Sequence, residues 1–555
     1  MILVISVWIL IFFSIFIFGT SVFNIIERFS NDREPFKSFS FDKIFFLGFV
    51  TLSSLCGILS ILVPIGKIIT ILFLVIICLL LITFYSAVTV RLNEFLDSFR
   101  LFDKRELIFI FFLSLFILTA VIQEISFYDT ALYHAQTIQW IKKFAVVPGL
   151  GNIDERLAFN SMFFPVSALF TFHMKDSMIF PLNGLCYFVL ILKLFFLVHK
   201  EMLKAQKWKA VFYILLVLIS VLTLSPNLNS ASPDVICSIL ILYILIYIVD
   251  IRTTGEEIDR PTVYLLGSMV FTCVGFKLSS LFLIAIIFLI LKNIRIRELL
   301  ILLLIGCFIL LPFLIRNYYL SGYLLFPFPA IDLFNVDWKI AKEDVIAIKQ
   351  ETENFAKIST LPSPEVVKMK IFEWIIPWFK SLNFNFKAIV VIDILSIFSF
   401  FIIVLKKEFT LSKILLIVYL NILFWFLMAP DPRFAYGFLF FCFSLTISYF
   451  IKLLEISRWR HNILSYVRFG MSVFLLAIIL RHISYPFETI KTPSLLLIPA
   501  KFGKVATTEY DSGFKYRVPV TGDQSYYSEI PCVPYPLKNI EPRGPDLQNG
   551  FRVRK

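Results

Sequence analysis

Along this chain, long apolar runs alternate with short polar breaks. Runs of roughly 18 residues recur, each long enough to cross about 30 Å of hydrocarbon. The pattern predicts spans at 1–25, 43–63, 68–90, 106–122, 177–198, 210–225, 232–250, 262–276, 278–292, 298–315, 387–405, 412–428, 434–451 and 466–483. The fold class is therefore an all-α polytopic membrane protein with about 14 transmembrane helices, or 12–14 allowing for uncertain breaks. The first run, Ile2–Phe23, is long and continuous and has no small-residue cleavage site after it, so it reads as a retained helix. The run 262–291 needs a break. A single straight helix would be roughly 45 Å long at ~1.5 Å per residue, and Lys277 would fall near its middle. Two helices meeting around Gly275–Ser279 avoid burying that charge.

Composition agrees with this class. Of 555 residues, 59% are hydrophobic and 65 are Phe, and mean hydropathy is +0.86. The net charge of +13 is spread between spans rather than clustered, which argues against nucleic-acid binding. With the N-terminus outside and the run at 262–291 split, the short inner loops carry far more lysine and arginine than the short outer ones. Leaving that run whole would invert every later loop. The long segments 316–386 and 484–555 then fall outside. Trp338, Trp374 and Trp378 suit helices lying in the membrane interface. The tail reads as a small extracytoplasmic cap or a loose extension. Seven of eight cysteines lie in apolar runs and Cys532 has no polar-segment partner, so neither a disulfide framework nor a zinc site follows. Three regions result: N-terminal helices 1–105, a core 106–483 with outer loops 123–165 and 316–386, and the tail 484–555.

Chemistry collects at the outer span ends. Asp129, Asp154, Glu155, Asp234, Lys277, Arg316, Asp431 and Arg433 all fall there, and ionisable groups at membrane depth pair, line a cavity or work. Asp129 reads either as a general base or as the cap of an amphipathic helix at 131–144. His134 is a candidate polar contact or, more simply, an interfacial histidine. Asn152 and Glu155 have capping-box spacing, so Asp154 and Glu155 read first as helix-start residues and second as further acidic groups of the site. A divalent metal is compatible with these carboxylates and is not demanded by their spacing. Ser232–Pro233–Asp234 is a helix-start signal, with substrate contact the other reading of Asp234. Lys277, Arg316 and Arg433 are candidate partners for a lipid phosphate, or snorkelling cations at helix ends.

Several segments in this order resemble the GT-C superfamily of integral membrane glycosyltransferases. They are the first-loop Asp129 ahead of Tyr133–His134, the later outer loop, and Pro432–Arg433–Phe434 near the last spans. Asn160–Ser161–Met162–Phe163–Phe164, Lys277–Leu278–Ser279, Arg316–Asn317–Tyr318, Ser321–Gly322–Tyr323, Arg543–Gly544 and Asn549–Gly550–Phe551–Arg552 are similar to a bacterial branch of such proteins. The resemblance spans the chain from about 105 onward and rests on the order of the motifs. It implies a transferase that uses a polyprenyl-phosphate-linked sugar on the outer face of the bacterial inner membrane, with Asp129 as base; which sugar is donated, and whether an envelope glycan, lipid or protein accepts it, do not carry over. Thr130 follows Asp129 where such proteins commonly carry a second acid, so metal dependence does not carry over. A lipid-linked glycan transporter or flippase, and an envelope polysaccharide polymerase or ligase, are the competing expectations.

Overall fold

A computed structural model describes residues 1–29, 39–173, 177–203, 207–254, 258–291, 296–453, 491–511 and 514–554. The described residues are predominantly helical. Its first half comprises α1 (Ile2–Phe29), α2 (Phe41–Leu62), α3 (Lys67–Thr83), α4 (Tyr85–Ser98), α5 (Lys104–Ile122), α6 (Ala135–Lys143), α7 (Phe163–Phe170), α8 (Leu182–Leu203), α9 (Lys207–Leu224) and α10 (Pro233–Thr254). A two-residue ribbon, β1 (Phe172–His173) with β2 (Met178–Ile179), lies between α7 and α8. The second half comprises α11 (Arg260–Phe276), α12 (Ile287–Ile290), α13 (Ile296–Ser321), α14 (Lys342–Lys357), α15 (Ser363–Val366), α16 (Ile371–Ser381), α17 (Phe384–Leu405), α18 (Phe409–Met428) and α19 (Tyr436–Leu453). The tail adds two antiparallel hairpins, β3 (Thr507–Asp511) with β4 (Lys515–Pro519), and β5 (Ile540–Pro542) with β6 (Phe551–Val553).

Among the described residues, 10 helices are long and apolar enough to cross a membrane, or 11 if one bent pair counts as a span. The expected 14 is therefore not what the described residues form, and each difference has a cause. The run 68–90 bends by 88° between Thr83 and Tyr85, because Arg91, Asn93, Glu94 and Asp97 make α4 too polar to continue through hydrocarbon. α11 has 17 residues and stops at Phe276. Beyond it, Leu278–Ile286 is wound as a tight 3₁₀ helix before the single turn of α12. At ~2.0 Å per 3₁₀ residue and ~1.5 Å per α residue, these two pieces reach roughly 24 Å. The expected span 466–483 lies outside the described residues.

One continuous apolar cluster runs through the spans and includes α1 and α2, so the N-terminal helices share the core of the rest. α10 is the most enclosed span. A second cluster lies at one end of the bundle. There Trp140, Leu150 and Leu157 of the first loop meet Leu320, Tyr323 and Val345 of the α13–α14 region and Tyr516, Val518 and Phe551 of the tail. The tail is thus a docked cap. Its seam is backbone to backbone: the Phe551 N–H donates to the Pro148 carbonyl at 3.0 Å, while the neighbouring Gly149 N–H ties the first loop to α13 through the Tyr319 carbonyl at 2.7 Å. Gly149 and Gly550 face each other across the seam with φ of +64° and +87°. A Cβ on Gly550 would stand 2.0 Å from the Pro148 oxygen, so only glycine fits.

Candidate functional site

The capped end of the bundle holds a cleft of about 600 Å³ whose walls include Asp129, His134, Asp234, Lys277 and Arg433. They arrive from four separate breaks in the helical pattern, Asp129 and His134 together from one of them. Asp129 opens a helix whose first turn, Thr130–His134, is wound wide, in the π form. Such a turn redirects side chains and is frequent at functional sites. The carboxylate of Asp129 makes no cap bond to its helix. It accepts instead from Arg433 Nη1 at 2.9 Å.

Arg433 stands in the short turn between α18 and α19. Two tryptophan indoles fix that turn: Trp378 of α16 donates to the Pro430 carbonyl at 2.8 Å and Trp425 of α18 to the Asp431 carbonyl at 2.7 Å. Trp374 and Trp378 therefore face the protein rather than lipid, while Phe372 and Ile376 form the exposed side of α16. Asp431 Oδ1 accepts from the Arg433 backbone N–H at 3.1 Å. Its other oxygen lies 3.0 Å from Arg433 Nε, and Asp234 Oδ2 lies 3.9 Å from the same atom. Three carboxylates thus converge on one guanidinium.

Lys277 sits at the break between α11 and the 3₁₀ helix, in extended backbone. Its ammonium pairs with Asp234 Oδ1 and stands 3.3 Å from the centre of the Phe434 ring. The cap of α10 comes from Ser232, whose Oγ accepts from the Asp234 N–H at 3.2 Å. That leaves the Asp234 side chain to its cations. His134 is 1% exposed and packs against Tyr133 and Phe164. Its Nδ1 lies 3.2 Å from Thr130 Oγ1. Burial pushes its pKa well below the ordinary value, which favours the neutral ring. Burial also raises the Asp129 carboxyl, against the pull of Arg433.

Other candidates lie elsewhere. Arg316 is 2% exposed and is not on the cleft wall. Its Nη1 donates to Ser60 Oγ at 2.7 Å and its Nε to Asn160 Oδ1 at 3.2 Å. Asp154 Oδ1 accepts from the Arg156 N–H at 3.1 Å and caps a 3₁₀ turn over Glu155–Ala158. Burial pushes its pKa up to about 6. Neither Asp154 nor Glu155 lines the cleft. Asn152 does not cap that turn but donates to the Trp338 carbonyl at 2.8 Å, tying the first loop to the α13–α14 segment. Among the described residues no group of three His, Cys, Asp or Glu is placed to hold a metal ion.

Sequence reasoning did not anticipate the second wall, formed by α14 and the tail. Arg156 Nη2 donates to Glu351 at 2.9 Å, and the Tyr128 hydroxyl donates to Asp523. The tail also grips the helix that carries Asp129. The Tyr526 N–H donates to the Ala131 carbonyl at 2.7 Å within the widened turn. Gln136 and Gln139 donate to the Ser528 carbonyl, each at 2.9 Å. The only hint in the sequence was the tail's wealth of Tyr, Pro and Gly.

Fold and site define a multi-pass helical membrane protein with an ionised cleft at one end of its bundle. The sequence profile described as "Domain of unknown function (DUF8201)" matches residues 1–440. The chain belongs to that family, and the matched stretch carries Asp129, Asp234, Lys277 and Arg433. No curated protein and no solved structure matches it.

Proposed function

We propose that this protein is a membrane glycosyltransferase of GT-C type. It moves a sugar from a polyprenyl-phosphate-linked donor to an envelope glycan, lipid or protein acceptor on the outer face of the bacterial inner membrane. The reading is carried by one observation: a carboxylate, Asp129, shares a cleft with two cations, Lys277 and Arg433, where span ends meet. In the reaction the acceptor oxygen forms a bond to the anomeric carbon while the bond from that carbon to the phosphate oxygen breaks. Asp129 takes the acceptor proton. The lipid phosphate leaves with the electron pair, and Arg433 and Lys277 stabilise its charge. The donor phosphate competes for Arg433 and so releases Asp129 as the base. Leu278, Phe424 and Met428, on the apolar part of the cleft wall, suit the first units of a prenyl chain.

The test is transfer from synthetic polyprenyl-phosphate sugars by the purified protein in lipid nanodiscs. Asp129→Asn is expected to lower the rate by about 10²–10⁴-fold in a protein that still folds, since Arg433 keeps Asp234 and Asp431 as partners. Full activity in that variant would overturn the base assignment. The broken helix at Lys277 and the bend after α3 favour a second reading, a lipid-linked glycan transporter or flippase. It predicts donor movement across vesicle membranes with no covalent product. A polymerase or ligase would instead yield lengthened glycan chains in the same transfer assay.

A further inference from the structure

The cleft has a part that this chemistry does not use. Tyr128, Arg156, Glu351, Thr352 and Asp523 also line it, with the rings of Phe159, Phe326 and Phe355. These polar groups come from three distant stretches, the first loop, α14 and the tail. They contribute little to stability: the Arg156–Glu351 pair has a carboxylate that is 55% exposed, and such pairs are weak. Yet each is held in place. Arg156 also lies 3.6 Å from Asp154, and Asp523 is bonded to Tyr128. Tyr133 links the two groups of residues: its ring meets His134 at 4.4 Å and Phe159 at 6.0 Å between ring centres.

We infer that this wall is a sugar-binding subsite, and that its ligand is a neutral or amino sugar. Its role as the acceptor subsite rests on the transferase reading; the binding does not. A pyranose ring presents apolar C–H faces and a girdle of hydroxyls. Aromatic rings cover the faces, while carboxylates accept from the hydroxyls and a guanidinium donates to them. The charges select further. Arg156 and Lys349 stand against Glu351, Glu353 and Asp523, leaving one negative charge in excess. A sugar acid is repelled by that excess and an amino sugar is attracted. The cleft volume lies within the roughly 300–1,000 Å³ typical of small-molecule sites. The tail supplies Asp523, so the subsite is complete only when the cap is docked.

The experiment is ligand-observed NMR on the full-length protein in detergent, with methyl glucoside, glucosamine and glucuronic acid as probes. Methyl glucoside and glucosamine are expected to bind and glucuronic acid not to. Glu351→Gln and Asp523→Asn should each weaken binding by about tenfold, the size of one charge-assisted hydrogen bond, with unchanged melts. Equal binding of glucuronic acid, or full binding by both variants, overturns the inference. Sugar binding without any transfer activity would preserve the subsite and remove the transferase reading. Transfer activity whose acceptor KM is unmoved by Glu351→Gln would do the reverse.

Discussion

Arg316 and Arg433 are the same residue at comparable places, each near the end of a span, and they do different things. Arg433 has three carboxylates within 4 Å and stands on the cleft wall. Arg316 is sealed between α2 and the first loop, and its hydrogen-bond acceptors, Ser60 and Asn160, are neutral. A guanidinium whose partners are anions at an open cleft can exchange one of them for a phosphate. A guanidinium whose donors are fixed by a backbone carbonyl, a hydroxyl and an amide, and that does not itself line the cleft, is a clamp between elements. Position along a span does not distinguish the two; the partners do.

The comparison breaks most visibly at Arg433. Arg433→Gln leaves Asp129 and Asp431 without their closest cation. It should reduce transfer by about 10²–10³-fold and cost about 3 kcal/mol in a thermal melt, since removing one member of a largely buried pair strands the other. A variant as active and stable as the parent would make Arg433 no more special than Arg316.

The pH profile comes next. Burial raises the Asp129 carboxyl, so its basic form exists above that raised value and is lost as pH falls through it. The acidic limb of the rate profile should lie above the ordinary carboxylate range. In Arg433→Gln the residual activity should show that limb moved further up, because the opposing cation is gone. A limb that stays put would separate Asp129 from Arg433.

Arg316→Gln should behave differently. It loses charged hydrogen bonds worth about 1.5–3 kcal/mol in the melt, yet activity per folded molecule should stay within about twofold of the parent. Lost activity with an intact melt would return Arg316 to the phosphate site. The smallest effect on activity per folded molecule is expected at the seam. Gly550→Ala forces a side chain into backbone at positive φ and against the Pro148 oxygen, and should loosen the cap locally by about 1–3 kcal/mol. The readout is faster proteolytic release of the tail, and an unchanged digestion pattern would show that the cap is not held there.

Much of the membrane fold was legible because hydropathy is a local signal. Ten of the predicted runs correspond to long apolar helices, and the break at Lys277 follows from the cost of burying one charge. The bend after Thr83 was misread because the apolar run continues past it to Val90 before the first charge. In the site, the meeting of Asp129 with Arg433 was legible as a shared end of the bundle, since each span reverses direction. Arg316 was not. Its partners lie 256 and 156 residues away, and no periodicity reports which face of a helix end turns inward. A cap was one of two readings of the tail, but its strands and its contacts were hidden, because short strands and backbone seams leave no apolar rhythm.

The seam has a consequence in time. Asn152 and the Phe551 carbonyl, which face each other in the finished cap, are 399 residues apart in the chain. The ribosome makes the first loop early and the β5–β6 hairpin hundreds of residues later. Through most of its synthesis the nascent protein carries Asp129 on a helix that nothing yet grips from above. The cap can dock only after the tail is made, and a chain interrupted before it lacks both the Phe551 seam and the contacts of Tyr526 and Ser528 with the Asp129 helix.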